Sequence, residues 1–273
     1  MYWTLFRCFI AMTFAICAAQ VAAHEFWIDA ESQIEPGDEI VADLKVGQML
    51  VGEPYPFLSN RFTRFSIISA GSSDAIPGFD GDLPAVSGIS AAPGLQIIAH
   101  QTVPFLATYN EWAVFQRYLT DEGLESFATV HKARGLPETG FIERYTRYAK
   151  ALIQAGPVRK GDSDEYSGMK FELVAESNPF TPGQTSLPVR LYWQGEPLPD
   201  WQINVFNRNA QTQRIVIHTD ATGRATLGLS RGEFLLNSVM LVPVDDAPVV
   251  WQSHWASLSF NFWGDTPRAN VSE

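Results

Sequence analysis

The strongest constraint in this sequence is a period of two. From residue 168 onward, apolar residues recur at every second position in short runs, and polar turn residues separate the runs. Phe171, Leu173 and Ala175 alternate, as do Leu187, Val189, Leu191 and Trp193, then Ile203 and Val205, then Ile215 and Ile217. Thr219-Asp220-Ala221-Thr222-Gly223-Arg224 reads as a hairpin connection into Ala225, Leu227 and Leu229. Phe234, Leu236, Ser238, Met240 and Val242 share one face of the next run, and Ala256, Leu258, Phe260 and Phe262 share one face of the last. Side chains alternate across a strand, so each run buries one face and leaves the other to solvent. Short strands at this spacing predict an Ig-like sandwich over 168–263.

The first half is β-rich but less uniform. Glu35-Pro36-Gly37-Asp38 is a turn, and Ile40, Ala42, Leu44 and Val46 then alternate with Val41, Asp43 and Lys45. Gly52-Glu53-Pro54-Tyr55-Pro56 breaks that strand. Arg61 to Ile68 and Leu95 to His100 predict further strands, with a long loop over 71–94 rich in Gly, Ser, Asp, Pro and Ala. Near 111–155 the pattern turns helical. Asn110 stands as a cap for a helix holding Trp112, Phe115 and Leu119. Thr120 stands as the next cap, with Asp121 and Glu122 in the first turn and His131, Lys132 and Arg134 in the last, the order that complements a helix dipole. Phe141, Tyr145, Tyr148 and Leu152 predict a third helix after Thr139, with Glu143 four residues before Arg147. On that helix Arg144, Arg147 and Lys150 read as a solvated face; the rival reading turns them inward as a basic cluster for an anion. The polar stretch 157–168 reads as a linker, so the expected division is a β-rich unit over 24–160 and a second over 168–263.

Residues 1–23 read as a secretory leader: Arg7, an apolar run from Cys8 to Cys17, then small residues, with Val21 and Ala23 at the −3 and −1 positions. Cleavage after Ala23 makes His24 the first residue of the exported chain. A terminal amine and the Nδ1 of the same residue close a chelate ring on one metal ion, which an internal histidine cannot do. Such nitrogens suit copper, nickel and zinc. The plainer reading is that His24 is a chance neighbour of the cut and that Phe26 and Ile28 simply begin the first strand. Both cysteines, Cys8 and Cys17, lie in the leader. The exported chain then has no thiol, which excludes cysteine metal sites, disulfides and a cysteine nucleophile. Ile16 stands where a lipoprotein leader needs a small residue, and no later stretch approaches the ~20 apolar residues of a membrane span. A soluble periplasmic protein is expected, with an uncleaved leader acting as an anchor as the alternative. The net charge of −11 argues against nucleic acid and anionic lipid as partners.

Motifs for chemistry are lacking: no G-x-S-x-G, H-E-x-x-H, phosphate loop or G-x-G-x-x-G occurs. Asp245-Asp246 and the pair Asp162 and Asp164 read as solvated turn residues rather than glycosidase acids. Trp193, Trp201, Trp251, Trp255 and Trp263 fall in or beside strands, where core packing is the usual role. No enzymatic activity is expected.

Several segments together resemble the DUF4198 family of exported bacterial proteins. They are His24-Glu25-Phe26-Trp27-Ile28, Leu44-Lys45-Val46-Gly47 with Gly52-Glu53-Pro54, and Tyr118-Leu119-Thr120-Asp121-Glu122-Gly123-Leu124. The run from Glu143 to Leu152, Thr219-Asp220-Ala221-Thr222-Gly223-Arg224-Ala225 and Trp255-Ala256-Ser257-Leu258-Ser259-Phe260 follow in family order. The resemblance implies a mainly β fold: an N-terminal β-sandwich with a helical insert, followed by a C-terminal Ig-like or transthyretin-like β-sandwich. It also implies association with nickel uptake, and His24 matches the terminal histidine of the family. One departure is Val239-Met240-Leu241, where many relatives carry Val-His-Met; a thioether there favours Cu(I) and disfavours Ni(II). The candidate ligands are His24, His100, His254 and Met240, with His131 and His218 as further histidines. Strict alternation places His254 on the inward face of Ala256 and Phe260. The expected function is a metal-binding accessory protein that hands a nickel or copper ion to a membrane or outer-membrane transporter. The rival is a metal-free β-sandwich that recognises a protein or glycan. A copper oxidative enzyme comes third, because it needs a second firm histidine ligand.

Overall fold

The computed structural model describes residues 24–209 and 211–264. The expected leader and its cleavage site lie outside the described residues, apart from His24 itself. β1 (Glu25–Ala30) and a short β2 (Gln33–Ile34) come first, followed by β3 (Glu39–Gln48) and β4 (Val51–Tyr55). Next are β5 (Phe62–Ser69), β6 (Ser72–Ala75), β7 (Val86–Ser90), β8 (Gly94–Thr102) and β9 (Phe105–Tyr109). Two helices, α1 (Trp112–Asp121) and α2 (Ser126–Ala133), precede the long β10 (Phe141–Ala155). The second half holds β11 (Phe171–Ala175), β12 (Ser186–Trp193), β13 (Glu196–Pro197), β14 (Gln202–Arg208) and β15 (Thr212–His218). It ends in β16 (Arg224–Gly228), β17 (Gly232–Asp246) and β18 (Val249–Phe262).

A ten-stranded sheet forms the middle layer, in the order β15-β14-β17-β18-β10-β8-β5-β6, with β2 and β9 also on β10. A four-stranded sheet of β1, β3, β4 and β7 covers one face, and another of β11, β12, β13 and β16 covers the other. The first core holds Phe26, Ile28, Leu44, Phe65, Ile98 and Ile153. The second is the interior of the expected Ig-like sandwich, with Leu173, Leu191, Val205, Leu236, Leu258 and Phe260. In a third, α1 lays Phe115 and Leu119 against Phe141, Leu241 and Trp251, with Phe127 and Ala128 of α2 packed beside them. The middle sheet crosses the polar stretch 157–168, because β10 pairs in parallel with β18, Tyr148 opposite Ala256.

Four local expectations are corrected. Residues 141–155 form β10, not a third helix. The helical spacing of Phe141, Tyr145, Tyr148 and Leu152 coincides with a second apolar set, Ala149, Ala151, Ile153 and Ala155, which a one-faced helix cannot bury. A central strand between two layers buries both parities. The second helix begins at Ser126 rather than after Thr120, and Glu122 closes the first helix instead. The chain over 51–55 is a strand, joined to β3 by a two-residue turn at Met49 and Leu50 with φ of 55° and 62°. That left-handed turn type ordinarily advertises itself with Asn-Gly. The loop at 71–94 contains β6 and β7.

The basic residues of 141–155 are also placed anew. Lys150 is fully buried, its Nζ 2.5 Å from Asp164 Oδ1 and 3.0 Å from Glu172 Oε1. Asp164 is therefore no solvated turn residue: its Oδ2 accepts from the Ala175 amide at 2.9 Å. Burial pushes the Asp164 carboxyl up, and Lys150 opposes that. Glu172 accepts from the amides of Ser167 (2.9 Å) and Met169 (3.0 Å). The triad ties the expected linker to both β10 and β11. Lys150→Met leaves two buried carboxyls without their cation and should destabilise by about 3–5 kcal/mol. Replacing all three groups by apolar residues of similar size should cost less, and urea unfolding of both variants checks the order.

Candidate functional site

β1 is the element from which the site is built. Its alternation sends His24, Phe26 and Ile28 to one side and Glu25 and Trp27 to the other. His24 is half-exposed at the head of the strand, and its carbonyl accepts a hydrogen bond from Arg147 Nη2 at 3.2 Å. Burial, then the Arg147 guanidinium, hold its imidazole below the usual histidine range.

The other candidate ligands fall into two groups on opposite faces of the middle sheet. His100 is buried on the β1 side, its ring 4.8 Å from Phe65, 5.2 Å from Phe26 and 5.5 Å from Phe62. Burial pushes it down to about 3, so it is neutral, and its Nδ1 has no hydrogen-bond partner. His254 and Met240 are direct cross-strand partners in the Ig-like core. His254 lies on the inward face as its parity predicts; its Nδ1 shares a hydrogen bond with Tyr148 Oη at 3.0 Å, and its ring meets Trp193 at 4.9 Å. Burial, then Lys170, push it down to about 3. His131 spends both nitrogens inside the fold, Nδ1 accepting from Trp251 Nε1 at 3.0 Å and Nε2 bonding the Pro137 carbonyl at 2.9 Å. His218 is exposed at the end of β15. His24 and His100 thus share the surroundings of Phe26, while His254 and Met240 stand apart from both. Among the described residues, no group of three or more His, Cys, Asp or Glu side chains stands where it could hold one ion.

Two cavities flank β1. One, of about 240 Å³, lies on the Phe26 side and is lined by His100 and Arg147. The other, of about 390 Å³, lies on the Glu25 side and reaches Tyr118, Glu122, Phe206 and Arg214. In it, burial pushes Glu25 up to about 7, and its Oε2 has no partner. Glu122 is pushed up to about 8 by burial, then by Glu25, while its Oε2 accepts from Asn204 (2.8 Å) and Asn237 (3.2 Å). Sequence reasoning missed this acid pair. Glu25 looked like a flank of His24, and Glu122 looked like a helix-start charge; only the parity of β1 hinted that Glu25 faces away from His24. Glu143, at the head of β10, is a third buried carboxyl, pushed up to about 7 by burial. It accepts from Tyr109 Oη at 2.9 Å and from Ser253 Oγ.

Comparison with known proteins adds a family and little else. The family model described as "Domain of unknown function (DUF4198)" matches residues 21–240. No curated protein matches the chain. Among solved structures, the D0-D1 domain of intimin is similar at 12% identity, over 87% of this chain and 98% of that one, with a TM-score of 0.20. A TM-score that low carries no argument about fold or function.

The buried groups make stability depend on pH. Glu25, Glu143 and Glu122, ordinarily near 4.5, stay protonated in the fold up to about 7, 7 and 8. Their contribution is present below 4.5 and is lost as pH rises through those values. His100 and His254, ordinarily near 6.5 and here about 3, act oppositely, contributing above 6.5 and less as pH falls. Above pH 6.5 the carboxyls act alone among these groups. The melting temperature should therefore fall between pH 6.5 and 8.5, at roughly 2–4 °C per kcal/mol lost. Glu122→Gln should flatten that slope in a calorimetric pH series, whereas a melting temperature already flat over this range in the unaltered protein would mean the three carboxyls are ionised in the fold.

Proposed function

This chain belongs to the DUF4198 family, and from that premise we propose that it is an exported, non-enzymatic metal-binding protein. It holds a nickel or copper ion at His24 in the periplasm and passes it to a membrane or outer-membrane transporter. The observation that carries this reading is the state of His24. Its imidazole is half-exposed at the head of β1 and held below the usual histidine range, so it is neutral at pH 7, the form that ligates a metal. Cleavage after Ala23 supplies a free amine on the same residue and closes a two-nitrogen chelate. Two donors leave coordination positions open, which a receiving protein needs in order to take the ion. The fold contributes a rigid base for the chelate, since β1 is paired along its length with β3, Glu25 opposite Gly47 through Ala30 opposite Ala42.

A metal-free interaction module is the second reading, favoured by β15. It is an edge strand of the middle sheet and exposes Ile215 and Val216. An edge strand with apolar side chains in solvent is a template for strand addition by another chain.

Calorimetric titration of nickel and copper into two purified forms separates the readings. One form begins at His24; the other carries one extra alanine ahead of it. The metal reading expects binding to the first and at least a tenfold loss in the second. Equal binding to both moves the site away from the terminal chelate, and no binding to either leaves the interaction module as the account.

A further inference from the structure

The cavity on the Phe26 side holds a guanidinium, that of Arg147, which no carboxylate pairs directly among the described residues. Its walls are aromatic: Phe26, Tyr55, Phe62, Phe105 and Tyr145 line about 240 Å³. The polar side chains reaching it include two arginines, Arg61 and Arg147, and among the described residues no carboxylate lines it. Arg147 sits with its guanidinium 4.9 Å from the centre of the Tyr145 ring and 5.6 Å from that of Phe26. It spends Nη2 on the His24 carbonyl at 3.2 Å, while its buried Nε has no partner.

The charges around this guanidinium belong to other sites. Glu143 is committed to Tyr109 and Ser253, and Glu25 lines the cavity on the opposite side of β1. Among the described residues Arg147 forms no ion pair within 4.0 Å; the Thr102 hydroxyl beside it accepts from the Arg147 backbone amide at 3.0 Å. His100, only 3% exposed, lines the same space, and its enclosed Nδ1 has no hydrogen-bond partner among the described residues. Arg147 has one side-chain hydrogen bond and two ring contacts but no carboxylate in hydrogen-bond reach among the described residues, so a site built this way is stabilised by a ligand that supplies an acceptor to its remaining donors.

We propose that this cavity binds a small organic monoanion: a carboxylate on Arg147, beside His100, carried by a compact ring that packs among the aromatic walls. Planar carboxylates match the guanidinium fork, and the aromatic faces suit a flat apolar body. Arg61, exposed and stacked 5.4 Å from the Phe105 ring, adds a second positive charge at this site. The volume lies below the ~300–1,000 Å³ of drug-sized pockets, which selects a single ring over larger bodies. A neutral amide of the same shape lacks the charge that Arg147 calls for.

The test titrates the chain beginning at His24 with benzoate and with benzamide, in EDTA so that no metal contributes. Benzoate should bind at least tenfold more tightly than benzamide and should raise the melting temperature. Arg147→Met should remove the preference, while His24→Ala, which keeps the backbone carbonyl, should retain it. Equal affinity for the two probes, no benzoate binding at millimolar concentration, or unchanged binding by a folded Arg147→Met variant would each overturn the proposal. The benzoate–benzamide comparison is made on the unaltered protein, so the proposal stays testable even where the Arg147 variant does not fold. Because metal is absent throughout, its outcome is separate from that of the nickel and copper titrations.

Discussion

The structure depends on one strand that is buried on both faces. β10 pairs in parallel with β18 on one side and antiparallel with β8 and β9 on the other. Its Ala149, Ala151 and Ile153 enter the core under β1 and β3, while Tyr148 and Leu152 enter the Ig-like core. The strand also carries Lys150 into a fully enclosed position against Asp164 and Glu172. A buried lysine with two carboxylates, and with four backbone amides donating to those carboxylates, is tolerated only when each partner is in place. That requirement fixes the path of residues 164–172 as firmly as any apolar contact does. The two halves of the chain thereby share one sheet and one ionic lock.

From that frame, β1 sorts chemistry by parity. Consecutive residues His24, Glu25 and Phe26 face different surroundings, although they are neighbours in sequence. The Phe26 side is aromatic and cationic, with Arg147 and His100. The Glu25 side is acidic at its base, with Glu122 beneath it and Arg214 nearby. The separation is electrostatically sensible: a carboxylate on the first side would neutralise Arg147 and close the site that Arg147 keeps open. His24 is half-exposed at the head of β1, with its carbonyl accepting from the Arg147 guanidinium.

The sequence made the alternating strands of the second half legible because one face of each is apolar and the other polar. β12 and β16 follow the pattern, with Leu187, Val189 and Leu191 and with Ala225 and Leu227 inside, whereas β17 is buried on both parities from Phe234 to Leu241. The inward placement of His254 was legible for the same reason. β10 was not, because a strand covered on both sides loses its alternation, and the apolar residues Phe141, Tyr145, Tyr148 and Leu152 then imitate a helix. The turn at Met49-Leu50 was hidden because neither residue is a turn former; Leu50 is held there by packing with Trp27, Phe206 and Leu235. Asp164 looked like a loop residue because its partner, Lys150, is 14 positions away in sequence and was itself read as a surface charge.

The sequence by itself determined the mainly β class, most strands of the second half and the membership of the family, since each rests on local period or on motif order. Only the tertiary structure decided which charges are inside. Lys150, Arg147, Glu25, Glu122 and Glu143 carry no local mark of burial, because a charged residue looks the same in a sequence whether water or a distant partner meets it. Their partners come from strands far apart in the chain, and the free energy of a buried charge is set by those partners rather than by its neighbours in sequence. The same holds for the candidate ligands: His100 packs against the Phe26 ring below β1, while His254 and Met240 are carried to the other face of the sheet by the register of β17 on β18.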